Sequence, residues 1–199
     1  MGNLSGKTAI VSGGSDGIGR AIAQKLAGEG AHVVICSRNA EKVSAAVKSI
    51  SESGGSCEGL SLDVSDSEAY AQMISNIASK RGLDILVNNA AHVGMGMIAD
   101  TELEGFQQNF RVNMDAPYMG TRAAMSAMSE TGGSIINISS VNGDRAMQGM
   151  SGYGLRRLQS RPHPLHAQRR YGRRAPRHTH QRGHARPYHD TCNQGMVRS

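Results

Sequence analysis

Short apolar runs alternate along the chain with longer amphipathic stretches, and that alternation comes before any chemistry. Residues 8–11, rich in β-branched side chains, read as a buried strand, and residues 31–36, 60–64, 83–87 and 134–138 read as further strands. Between them the period lengthens from two towards 3.6. Residues 20–30 put Ala21, Ile22, Leu26 and Ala27 on one helical face, and residues 41–52 do the same with Val43, Ala46, Val47 and Ile50 before Gly54-Gly55. Residues 67–81 turn Tyr70, Met73, Ile74 and Ile77 inward and stop at Gly82. Residues 106–128 are long enough for a major helix through Phe110, Val112, Met114, Tyr118, Ala124 and Met128, with Pro117 as a breaker in its interior. Strand and helix in strict alternation predict an α/β fold, a doubly wound parallel sheet of the Rossmann-like kind.

The first strand runs into Ser12-Gly13-Gly14-Ser15-Asp16-Gly17-Ile18-Gly19 and then a helix. Glycines suit a place where backbone amides approach a phosphate at the positive end of a helix. A side chain at Gly13 or Gly17 is expected to stand where a pyrophosphate sits. An ordinary glycine-rich βα turn would show the same spacing. The pattern here is Gly13-x-x-x-Gly17-x-Gly19, not Gly-x-Gly-x-x-Gly. It resembles the cofactor loop of the short-chain dehydrogenase/reductase family, with Ser12 in place of the usual Thr. The resemblance implies that Ser15, Asp16 and Ile18 join Gly13, Gly17 and Gly19 in holding a dinucleotide.

Further motifs follow in the family's order. Where an acidic residue at the end of the second strand would bind the ribose hydroxyls of NAD, this chain has Ser37, which leaves room for a 2′-phosphate. Arg38 can pair with that phosphate through its planar fork, or it can be a solvated charge opening a helix. We therefore expect NADP(H) rather than NAD(H), although Asp16 occupies a position where NADP-using relatives often carry a base. The resemblance implies that Asp63 contacts the adenine amino group and the Val64 amide a ring nitrogen; Asp63 can equally belong to the turn into the next helix. Asn88-Asn89-Ala90-Ala91 resembles the family's Asn-Asn-Ala-Gly, with small residues beneath the adenosine and the Asn89 amide free to tie neighbouring strands. Asn113 matches the family's helix asparagine, whose backbone carbonyl seats a water in a proton relay. Tyr153 stands thirteen residues after Ser140, the family's separation of the catalytic serine and tyrosine. The implied activity is hydride transfer between NADP(H) and a small secondary alcohol or ketone, with Tyr153 as general acid/base and Ser140 holding the substrate oxygen. Met147 and Met150 suggest a hydrophobic substrate, and the family resemblance implies a homo-oligomer.

The resemblance covers residues 6–154 and then stops. The family continues Tyr-x-x-x-Lys, but here the chain reads Tyr153-Gly154-Leu155-Arg156-Arg157. The family's lysine holds the nicotinamide ribose and lowers the phenol's pKa. Arg157 carries charge but not the same shape. Residues 1–154 have a net charge of −4, whereas residues 155–199 hold 11 Arg, 6 His and one acid for a net of +10, so the overall +6 belongs to the tail. We divide the chain accordingly into a Rossmann domain, 1–154, and a basic tail, 155–199, in which no strand is expected.

Three readings of the tail stand: a nucleic-acid arm, disorder, or translation in the wrong frame. The third can be tried on paper. If Arg157-Leu158-Gln159-Ser160 is coded CGC CTC CAA AGC and followed by C, reading one base later gives Ala-Ser-Lys-Ala, which supplies the missing lysine. The same shift turns His180-Gln181-Arg182-Gly183 into Ile-Asn-Ala-Val and Ala185-Arg186 into Pro-Gly, the family's last core strand and nicotinamide loop. Nucleic acid is accordingly not the expected partner.

The remaining totals exclude more than they assign. Three scattered cysteines (Cys36, Cys57, Cys192) build neither a disulfide framework nor a zinc site, and no metal is expected. They fit a reducing cytoplasm. No apolar run reaches the roughly 20 residues of a membrane span, and the N-terminus does not read as a signal peptide.

Overall fold

The computed structural model describes residues 2–94, 101–140 and 169–171; Tyr153, Arg157 and Met147 with Met150 lie outside the described residues. Five parallel strands form the sheet: β1 (Thr8–Ser12), β2 (His32–Ser37), β3 (Ser56–Ser61), β4 (Ile85–Asn88) and β5 (Gly133–Asn137). Their order is β3-β2-β1-β4-β5, with a short β6 (Arg169–Tyr171) beyond β5. Helices α1 (Gly17–Gly28), α2 (Ala40–Glu52) and α3 (Ser67–Arg81) connect the first four strands.

Alternation along each strand feeds two cores. Ala9 and Val11 of β1, Val33 and Ile35 of β2 and Val87 of β4 pack with Ala23, Ala27, Val43, Ala46 and Ile50 of α1 and α2 on one face. Ile10, Val34, Cys36 and Leu86 pack with Tyr70, Met73, Ile74, Ala124 and Met128 on the other. Period-two side chains buried on both faces are what a parallel sheet covered by helices requires. In α1 the buried residues are Gly19, Ala23 and Ala27, and Ala21, expected inside, is exposed, because the helix begins at Gly17 and its inward stripe starts with Gly19.

Three elements depart from expectation. β3 lies at 56–61 rather than 60–64, since it pairs with β2 from His32↔Ser56 to Ser37↔Ser61. An edge strand satisfies its backbone on one side and needs no apolar run. The helix expected over 106–128 is α4 (Leu103–Phe110), a π turn (Arg111–Asp115) and α5 (Ala116–Ala127). Pro117 has no N–H to send back one turn, and the wider π turn just before it takes up the mismatch. The resulting twist leaves Met114 at 44% and Tyr118 at 67% exposure rather than inside. Finally, Arg169–Tyr171 pair antiparallel with β5, Ile135 opposite Arg169, where no strand was expected after Leu155. A ladder needs only backbone groups, so an open edge accepts residues with no strand-like side-chain pattern.

Candidate functional site

β1 and β4 are neighbours, yet α1 leaves β1 towards one face and the chain after β4 leaves towards the other. The crevice at their carboxyl ends is the switch point where doubly wound sheets bind ligands. A cleft of about 120 Å³ opens there, lined by Gly13, Ser37, Arg38, Asp63, Val64, Ala90 and Ala91. Seven of the residues singled out from the sequence therefore meet in one place. Cys36, Leu62, His92 and Val112 complete the wall.

Ser12 organises the floor. Its Oγ accepts the N–H groups of Asn89 (3.0 Å) and Ala90 (3.1 Å), and it donates to the Val87 carbonyl (3.4 Å). Asn89 Nδ2 donates to the carbonyls of Ser12 (2.9 Å) and Gly13 (3.3 Å). The amide thus ties the two strand ends together, as its position suggested. These are mutually supporting polar contacts, part-buried except for the buried one from Ser12 to the Val87 carbonyl.

The glycines divide by reason. Gly13 has φ +65°, and a Cβ there would come within 2.9 Å of Asn89 Nδ2 and 3.0 Å of Ala90 Cα. Gly19 would overlap the Gly13 carbonyl and the Asn89 amide. A side chain at either position would collide with protein before any ligand is considered. Gly17, at φ +50°, meets only open space, and its left-handed backbone is what requires glycine there. Asp16 caps α1 by accepting the Gly17 N–H at 2.8 Å, and its side chain pairs with Lys42. The hydrogen bond from Lys42 is the main cause that holds the Asp16 carboxyl below its usual range. Ser15 is buried, while Ile18 stands 67% exposed in the first turn of α1. Neither belongs to the cleft wall just described.

On the opposite wall, Asn113 grips the backbone of His92 from both sides: Oδ1 accepts the His92 N–H at 3.0 Å and Nδ2 donates to its carbonyl at 2.8 Å. Asn109 continues the ladder, accepting the Gly94 N–H at 3.4 Å. In an α-helix the Asn113 carbonyl would receive the N–H of residue 117, which is proline. Ser140 follows β5 at the same end of the sheet, three residues beyond Asn137, which pairs with Asn88. Asn88 itself is buried in a network that the sequence reading missed. It accepts from the Tyr70 hydroxyl (2.8 Å) and donates to Asn137 (2.8 Å) and Thr121 (3.3 Å). Burial pushes the Tyr70 phenol up, so it stays a donor at any ordinary pH. An asparagine pair was visible in the sequence; only the pleat shows that one member points into the core.

The short chain dehydrogenase family model matches residues 7–155. The chain belongs to the short-chain dehydrogenase family. A 3beta-hydroxysteroid dehydrogenase of Mediterraneibacter gnavus is 36% identical over 155 residues, covering 77% of this chain and 56% of that one. A solved putative NAD(P)-dependent gluconate 5-dehydrogenase from Beutenbergia cavernae with bound NADP superposes with TM-score 0.72 at 31% identity, over 78% of this chain and 63% of its own. A metagenomic short-chain oxidoreductase in complex with NADP gives 0.71 at 37%, over 77% and 71%. The chain spans about half the length of the curated relatives it matches.

The site fits the family's dinucleotide: small residues line the cleft, Gly17 is clear at a helix N-terminus, and polar groups converge at the ends of β2 and β3. Among the described residues no cluster of three or more His, Cys, Asp or Glu is placed to hold a metal, and no helix is long and apolar enough to cross a membrane.

Cys36 supplies a check on how tightly the cleft floor is closed. Its thiol is fully buried and burial pushes its pKa up to about 12. At pH 8 the thiol stays protonated, and the thiolate is the reactive form. Native chain treated with iodoacetamide at pH 8 is expected to leave Cys36 unmodified by mass spectrometry, and chain in urea to label it; native labelling would mean that the floor opens.

Proposed function

We propose that residues 1–154 bind NADP(H) in preference to NAD(H), as the core of an oxidoreductase for a small secondary alcohol or ketone. The observation that carries this reading is the meeting of Ser37, Arg38, Asp63 and Val64 in one cleft beside the glycine loop. Arg38 lies 3.9 Å from Asp63, both more than a third exposed, a loose pair whose guanidinium keeps donors available to an added phosphate. Bound NADPH supplies the hydride for ketone reduction. Tyr153 gives the oxygen its proton, Ser140 holds that oxygen by a hydrogen bond, and the Asn113 carbonyl seats the water that returns the proton. Pro117 supports that role for Asn113, since it has no N–H to offer the carbonyl four residues before it. Met114, Tyr118 and Met125 make an exposed stripe along α5 and its approach, and they support a homo-oligomer. We place the protein in the cytoplasm.

In the same reading, residues 155–199 are translated out of frame, so the chain as it stands lacks the lysine of Tyr-x-x-x-Lys. What supports this is that the family match stops at residue 155, where the acidic composition gives way to arginine. The second reading, favoured by that missing lysine, is a protein that binds the dinucleotide and turns nothing over. A nucleic-acid arm ranks third, and its affinity would fall steeply with salt.

Fluorescence titration with NADPH and NADH, beside a dehydrogenase assay, separates these. NADPH is expected to bind tighter, and Ser37→Asp to swing the preference about 10- to 100-fold towards NADH through repulsion of the 2′-phosphate. A chain that already favours NADH would make Arg38 a surface charge.

A further inference from the structure

Asp16 raises a difficulty for the preference just proposed, and the structure contains its answer. The carboxylate is held at the glycine loop by the Gly17 N–H, 2.8 Å from one oxygen. Its other oxygen meets the Lys42 ammonium at 2.8 Å. The partners come from different elements, 26 residues apart, and their side chains are 69% and 58% exposed. A pair so exposed contributes little to stability. Its effect is on the local field.

We propose that Lys42 determines cofactor specificity by neutralising Asp16, so that a 2′-phosphate at Ser37–Arg38 is not repelled by the loop. The proposal rests on the cleft being an NADP(H) site. Lys42 is well placed for this because α2 starts immediately after Arg38: Asn39 caps it, accepting the Lys42 N–H at 2.8 Å. That cap fixes the first turn, and the side chain leaves it towards the loop of β1. The edge of the site then carries Arg38 facing Asp63 and Lys42 facing Asp16, with Arg20 also acting on Asp16. Remove Lys42 and Asp16 loses its main cationic partner, keeping only the weaker pull of Arg20. A phosphate monoester carries about −1.5 to −2 at pH 7, so it is the ligand that feels the change. NAD(H), with hydroxyls there, is nearly indifferent.

The test is a double-mutant cycle on the full chain, read by fluorescence titration with NADPH and with NADH. Lys42→Gln is expected to weaken NADPH about tenfold and NADH less than about twofold. Adding Asp16→Asn to Lys42→Gln should recover most of the loss, and Lys42→Arg should keep NADPH affinity. Circular dichroism of each variant confirms the fold. If Lys42→Gln weakens both nucleotides equally, or Asp16→Asn recovers nothing, the proposal fails while the NADP(H) site stands. If the unaltered chain binds neither nucleotide, the site reading fails and takes this proposal with it.

Discussion

Restoring the reading frame after Gly154 should raise NADPH-dependent ketone reduction by about 10²- to 10⁴-fold over the chain as it stands. Written GGC TAC GGC CTA CGG CGC, the codons of Gly152-Tyr153-Gly154-Leu155-Arg156-Arg157 contain CTACGGC twice in tandem. Losing one copy leaves Gly-Tyr-Gly followed by Ala-Ser-Lys, with Tyr153 still thirteen residues after Ser140. The lysine would hold the nicotinamide ribose, and its charge would lower the tyrosine pKa from about 10 towards the working range, the usual way a phenol becomes an acid/base catalyst near neutrality. The restored chain should also melt cooperatively. Among the described residues, the edge of β5 is covered by the three residues of β6, and Ile138 is 39% exposed. Sequencing the codons for residues 150–165 decides the first point. A gene without the repeat, whose 199-residue product turns over ketones at a normal rate, would make the tail native. Arg157 or another base would then do the lysine's work.

Gly19→Ala is expected to be the most damaging single substitution in the glycine loop. Its Cβ would overlap the Gly13 carbonyl and Asn89 Nδ2, which is already committed to the carbonyls of Ser12 and Gly13. Neither obstacle is a flexible side-chain end that can swing away. The cost is overpacking, about 1–3 kcal/mol, plus part of the Asn89 clamp, about 1 kcal/mol more. NADPH affinity should fall more than about tenfold, because shifting α1 moves its N-terminus from the cleft. Gly28→Ala is the control: it lies in the same helix with open space around its Cβ, and alanine is the better helix former. Urea midpoints and NADPH titrations on both variants check this. Equal midpoints would show that the loop yields, and the close packing of α1 on the cleft floor would lose its importance.

Much of this was legible before any coordinates. Period-two runs marked four of the five parallel strands closely, because parallel strands buried on both faces must be apolar throughout. α3 appeared at Ser67–Arg81 as read, since its inward stripe and Gly82 stop are both local signals. The glycine loop and Asn89 were recognisable because a tight strand-to-helix turn and a tie between strand ends demand particular small or amide side chains at one point of the chain. β3 was misplaced, since an edge strand is held by backbone pairing that leaves no side-chain trace. So was the interior of the long helix, where one proline decided between a break and a π turn.

What the chain alone determined, then, is the order of layers and the chemical type of the site. What tertiary structure decided is every feature that joins distant segments. Ser12 became the hub of the floor because β4 ends beside β1. Gly13 and Gly19 are required by Asn89, some seventy residues away. Asn113 grips His92 across the π turn, and Lys42 reaches Asp16 from another helix. Periodicity reports what a residue's own element needs; it carries no record of which side chain another element will bring against it.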